Sequence, residues 1–149
     1  LEILEGLEAV KGSRLLDLGS GTGILAIAAL KLCAEHAVCV DIEADAVETA
    51  RINSQLNDLE EKVTHITGTL DTVTESDFDL ILANIYGDIL LDLVEEISAK
   101  LKVGGTLLLS GILWEYNFDV RQAYEKRGCS VVCNRMLEEF STTLMIRRN

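Results

Sequence analysis

Short apolar runs recur along this chain with helix-patterned segments between them, and the last two runs follow one another directly. The runs read RLLDL, AVCVDI, KVTHIT, FDLILANI, GTLLLSGI, CSVVCNRM and STTLMIRR. AVCVDI has no polar alternation before its terminal acid, the pattern of a strand buried on both faces. Helical spacing is expected over residues 22–33, over 44–59 through Val47, Ala50, Ile52 and Leu56, over 88–101 and over 115–127. Residues 1–10 read as the end of an amphipathic helix with Leu1, Leu4 and Leu7 on one face. Strands joined through helices run parallel, because the crossover returns the chain to the same end of the sheet. The LEEF link between the last two runs suits only an antiparallel turn. The expected fold is therefore α/β: a doubly wound, mostly parallel seven-stranded sheet with a terminal antiparallel strand.

With 149 residues, 48% of them hydrophobic, the chain is expected to form one domain, residues 1–149, with a substantial core. No window approaches the roughly 18 uninterrupted apolar residues of a membrane helix, and no signal-peptide pattern is present. The chain starts at Leu1 rather than Met, which suggests an excised piece of a longer protein. A net charge of −12 repels phosphate backbones and favours a basic protein or an amine, although acidity also serves solubility alone. Cys33, Cys39, Cys129 and Cys133 lack CxxC spacing, and His36 and His65 stand apart from them and from each other. Buried, reduced thiols of a cytoplasmic protein are expected, with no metal site.

Between the first strand and the first helix lies DLGSGTG, residues 17–23. In an open α/β sheet the ligand lies beyond the carboxyl ends of the strands, where this loop falls. Asp17, Gly19, Ser20, Gly21 and Gly23 are the candidate cofactor contacts. The dinucleotide fingerprint needs Gly or Ala three residues beyond Gly21, and Ile24 stands there instead. The lysine and Ser/Thr pair of a triphosphate loop is missing too. Asp17 would oppose a pyrophosphate but tolerates a cationic ligand such as S-adenosylmethionine, which carries a sulfonium and an ammonium and no phosphate. Asp41 closes VCVD, 22 residues after Gly19, where a carboxylate can accept both ribose hydroxyls of an adenosine. Ile42 would then lie against the adenine. The loop and acid together also suit NAD, so the glycine spacing is the discriminator.

FDLILANI ends at the cleft side with Asn84. Methyl transfer is an in-line displacement, so an acceptor amine must present a free lone pair to the methyl carbon. An amide oxygen and a neighbouring backbone carbonyl can accept the amine's hydrogens and aim that lone pair. Asn84 is the candidate catalytic residue; termination of the strand is the plainer alternative.

LDLGSGTGILAIAALKL, VDI, LILANI and LLLSGIL, in this order and followed by EEF, a strand and RRN, resemble the bacterial ribosomal protein L11 methyltransferases over nearly the whole chain. The resemblance implies a class I, Rossmann-like methyltransferase fold and S-adenosylmethionine as donor. It also implies methylation of lysine side-chain and N-terminal amines of a ribosomal protein, with Gly19, Asp41 and Asn84 at cofactor-contact positions. The family's N-terminal recognition domain and its Gly/Thr/His/Pro loop have no counterpart in these residues, so a catalytic fragment with weakened cofactor binding is expected. TGTLDT lacks the acid that many methyltransferases set against the adenine amine, which leaves Thr69 as its substitute. Trp114, after SGIL, reads as a core or rim aromatic, with a place at the substrate entrance as the alternative. No direct nucleic-acid or membrane partner is expected. A methyltransferase for a small-molecule or other protein amine, and a non-catalytic cofactor-binding module, remain the alternative readings.

Overall fold

The computed structural model describes residues 2–149; Leu1, assigned above to an apolar helix face, lies outside the described residues. The chain divides into two compact units, one ending at Thr74 and the other spanning Glu75–Asn149.

In the first unit, β1 (Arg14–Leu18), β2 (His36–Asp41) and β3 (Val63–Thr67) pair in parallel in the order β3-β2-β1. The middle four residues of β2 are all buried, as a strand without polar alternation requires. α2 (Ile24–Lys31) is a run of strong helix formers that buries Ala26, Ala29 and Leu30 along one stripe. It is shorter than the expected 22–33, because Gly23 adopts a left-handed conformation at its start and Cys33 does so just past its end. α3 (Ala44–Leu56) buries Val47, Ala50 and Ser54. Ile52 and Leu56, expected on that face, are 47% and 76% exposed: at 100° per residue they fall outside the stripe through positions 47, 50 and 54. The expected helix over residues 1–10 is broken. α1 covers only Glu2–Glu5, Leu7 is extended, and a 3₁₀ turn follows at Glu8–Val10. Leu4 is fully buried, and a turn at Gly6 ends the helix behind it.

In the second unit, β4 (Phe78–Asn84) pairs in parallel with β5 (Leu101–Leu113), and β7 (Phe140–Arg147) lies antiparallel between β5 and β6 (Cys129–Leu137). The seven strands, mostly parallel with antiparallel β5–β7 and β6–β7 pairs and flanked by helices, are the α/β class expected. β5 begins earlier than GTLLLSGI because Gly104 takes up an irregular step, with the register jumping from Phe78↔Leu101 to Leu80↔Thr106. The single helix expected over 88–101 is two, α4 (Gly87–Asp92) and α5 (Val94–Lys100), interrupted at Leu93. No breaker marks that point in the sequence. Packing accounts for it: Tyr124 of α6 (Trp114–Glu125) is fully buried and donates from its hydroxyl to the Leu90 carbonyl at 2.9 Å, which holds α4 against α6. Of the four cysteines, all free, Cys39 and Cys129 are buried as expected, Cys133 is half-buried and Cys33 is exposed. Cys33 is exposed because it forms the turn behind α2 rather than a helical position.

Candidate functional site

The glycine loop is anchored to the end of β2 by its own backbone. Gly19 and Ser20 donate their N–H groups to the Val40 carbonyl at 2.9 and 3.2 Å. Gly21 donates to Asp41 Oδ2 at 2.9 Å, and Glu43 donates to Asp41 Oδ1 at 2.9 Å. Gly68, after β3, donates to the Asp41 carbonyl at 2.9 Å. Asp41 is thus held from three sides with one bond on each carboxylate oxygen, and each oxygen keeps a lone pair for a further donor.

Two of the glycines serve different needs. Gly21 has φ +55° and a Cβ there would meet open space, so it leaves the backbone accessible to a ligand. Gly23 has φ +81°, and a Cβ on it would lie 3.1 Å from the Ala50 Cβ, so it admits α3 close to the start of α2. Gly23 therefore serves the packing of the two helices. Gly19 shares the left-handed conformation, and Ser20 is buried within the loop, its carbonyl accepting from Gly23 N–H at 2.8 Å.

Asp17 and His65 are the side chains of this unit with buried polar atoms that lack a partner among the described residues. Asp17 is 1% exposed, and neither carboxylate oxygen has a hydrogen-bond partner among the described residues. Burial pushes its pKa up to about 7; the nearby Ala26 N–H opposes that shift, and the Asp41 charge adds to it. A buried acid with no well-formed hydrogen bond is costly unless a cation or donor completes it. Cys39, directly opposite Asp17 in the β1–β2 register, has its thiol pKa pushed up by burial and by that carboxyl, so it stays a neutral thiol.

Ile42 is 68% exposed just past Asp41, an apolar surface free to cover a planar ring. Thr69, after β3, is exposed and donates its hydroxyl to Asp71 Oδ1. A carboxylate therefore does stand beside Thr69, two residues further on than the position found without an acid. The Thr-x-Asp spacing at the start of a 3₁₀ turn was the available signal.

In the second unit Asn84 is the last residue of β4, exposed and paired in register with Ser110 of β5. Gly111, with φ +74°, has no Cβ, and one there would collide with Asn84 Oδ1. Gly111 is thus a residue the sequence reading missed: it clears room for the Asn84 amide. Trp114 is 62% exposed, at the start of α6, so it belongs to the rim and not to the core.

The first unit can hold an adenosine-bearing, positively charged ligand. Asp41 has acceptor capacity for hydroxyls, Gly21 leaves an open approach, and Asp17 lacks the partner a cationic group would supply. Among the described residues no group of three or more His, Cys, Asp or Glu side chains is placed to hold a metal ion, and no helix is long and apolar enough to cross a membrane.

Residues 1–147 match the family model described as ribosomal protein L11 methyltransferase (PrmA). A ribosomal protein L11 methyltransferase of Pelobacter propionicus is 45% identical over 83% of this chain and 40% of its own length. One from Thermotoga neapolitana is 38% identical over 92% of this chain and 51% of its own. Among solved structures, a ribosomal protein L11 methylase from Lactobacillus delbrueckii subsp. bulgaricus superposes with a TM-score of 0.89 at 28% identity, over 99% of this chain and 76% of that one. An RNA methyltransferase from Salinibacter ruber, solved with S-adenosyl-L-homocysteine, gives 0.81 at 19% identity over 99% of this chain and 90% of that one, a likeness of fold alone. The chain spans about half the length, or less, of the curated relatives it matches. This chain belongs to the ribosomal protein L11 methyltransferase family.

Proposed function

We propose that this member of the L11 methyltransferase family binds S-adenosylmethionine in its first unit and transfers the methyl group to amines of a ribosomal protein, lysine and N-terminal amines among them. The observation that carries the reading is the buried, partnerless Asp17 behind a glycine loop whose open end is held by Asp41. The cofactor supplies an electrophilic methyl group on a sulfonium. Asp17 balances the positive charge of the ligand, Asp41 accepts from its ribose hydroxyls, Ile42 covers the adenine, and Thr69 with Asp71 offers polar atoms to the adenine edge. Gly19, Ser20, Gly21 and Gly23 shape the loop. Asn84 accepts hydrogens from the neutral acceptor amine and aims its lone pair, a contribution of alignment rather than of proton transfer. A water-soluble, cytoplasmic setting and the absence of direct nucleic-acid contact belong to the same proposal, supported by the net charge of −12.

Calorimetry with S-adenosylhomocysteine, paired with methylation of purified ribosomal protein L11, tests it. Asp41→Ala should weaken cofactor binding by about 1–3 kcal/mol, the scale of leaving buried polar groups unpaired. Asn84→Ala should leave that binding nearly intact and cut turnover. A folded protein that binds no S-adenosylhomocysteine, or an Asn84→Ala variant with parental turnover, would overturn the corresponding assignment.

A further inference from the structure

The start of α6 and the tip of the β6–β7 hairpin carry several large apolar side chains that no described residue covers. Trp114 and Phe118 are each 62% exposed, one helical turn apart on the same stripe of α6. Asn117 Nδ2 donates to Asn134 Oδ1 at 2.9 Å, which sets this stretch of α6 beside β6. Two residues along β6, on the same face as Asn134, stands Met136, 51% exposed. At the tip Leu137 pairs with Phe140 on the opposite face of the hairpin, and they are 78% and 43% exposed. The Trp114 N–H donates to the Glu139 carbonyl at 2.8 Å, tying the helix start to that tip.

These side chains stand on a rigid base. Asn117 also donates to Ser141 Oγ at 2.8 Å and Thr143 Oγ1 at 3.2 Å and accepts from Arg121 Nε at 2.8 Å, so the helix cannot slide to hide its aromatics. Exposed aromatics on ordered elements mark an interaction surface, because large solvent-facing apolar patches otherwise only promote aggregation. The border is acidic: Glu115, Asp119, Glu138 and Glu139 are all exposed. Arg135 and Arg121 are the basic residues beside them, and Arg121 stacks over the Phe118 ring at 6.0 Å. The surface lies past the carboxyl end of β5, three residues beyond Ser110, the register partner of Asn84.

We propose that the Trp114–Phe118 stripe with the β6–β7 tip is the docking surface for the acceptor, a basic, lysine-bearing segment of protein that seats an apolar side chain among the aromatics and its cations against the glutamates. The proposal rests on the methyltransferase reading above and adds where the acceptor is gripped. Acidic edges raise the encounter rate with a basic partner, and the aromatics set its residence time.

The test is steady-state methylation of ribosomal protein L11, with S-adenosylhomocysteine calorimetry as the control for an intact cofactor site. Trp114→Ala and Phe118→Ala should each raise KM for the acceptor about tenfold with kcat within about twofold. The Glu138→Lys/Glu139→Lys pair, on the exposed β6–β7 turn, should raise KM at low salt and lose most of that effect at high salt. An active parent whose variants all keep the parental KM overturns the docking surface alone. A parent that binds S-adenosylhomocysteine but leaves the ribosomal protein unmethylated overturns the acceptor reading, and the docking surface with it. Two further results overturn the surface as an acceptor site: a dimer of the parent that Trp114→Ala dissolves, and RNA binding by the parent that Phe118→Ala abolishes.

Discussion

Asp17 and Asn117 are polar side chains buried to nearly the same degree, 1% and 4% exposed, one in each unit, and they are treated in opposite ways. Asn117 spends its amide fully: its nitrogen donates toward Asn134, Ser141 and Thr143, and its oxygen accepts from Arg121 and Asn134. Asp17 has no partner at either oxygen. A satisfied buried network stabilises and orients the elements it joins, whereas an orphaned buried acid lowers stability until something binds it. Asn117 therefore fixes the elements around it, and Asp17 is the group that the proposed cationic cofactor would complete.

The largest effect that separates the two belongs to Asp17. Its carboxyl ionises near pH 3.8 in the unfolded chain and at about 7 in the folded one, so folding takes up a proton between those values. Stability of the unliganded protein should fall as pH rises through that window and level off above it, by about 4 kcal/mol at the upper bound. Asp17→Asn should match the parent near pH 4, exceed it in urea denaturation at pH 8, and bind S-adenosylhomocysteine more weakly. A variant less stable than the parent at pH 8 would break the contrast, because Asp17 would then be a structural residue. Asn117→Ala should do the reverse. It should cost about 2–4 kcal/mol in the same denaturation experiment, with little pH dependence, by removing the amide that joins Asn134, Ser141, Thr143 and Arg121. Calorimetry on the folded fraction should give unchanged cofactor affinity. The smallest change sharpens the point: Tyr124→Phe removes one satisfied bond, to the Leu90 carbonyl, and should lower stability by about 1 kcal/mol without altering cofactor binding.

Much of the candidate site was legible because it is local. DLGSGTG, the acid at the end of VCVD and Asn84 at the end of a hydrophobic run are each within a few residues of a strand end, a position that local pattern alone locates. Gly111 was not, since its need for no Cβ comes from Asn84, 27 residues away in sequence and adjacent only once β4 and β5 pair. Asp71 was passed over because the position compared was that of Thr69, and only the bond between them brings the carboxylate into account. The Trp114 surface was unreadable for another reason. Exposure of an aromatic depends on what the rest of the chain leaves uncovered, and no pattern within α6 tells Trp114 from the fully buried Tyr124.

By itself the sequence determined the α/β class, the number of strands, the parallel sense of those joined through helices and the nature of the glycine loop. Each follows from period, propensity and turn chemistry within short windows. Only the tertiary structure decided that β7 inserts between β5 and β6, that the helix after β4 breaks at Leu93, and that Ile52 and Leu56 face outward. It alone also decided that Asp17 is sealed in without a partner while Asn117 is saturated. These are outcomes of long-range pairing and burial, in which the free energy of a residue depends on neighbours distant in sequence.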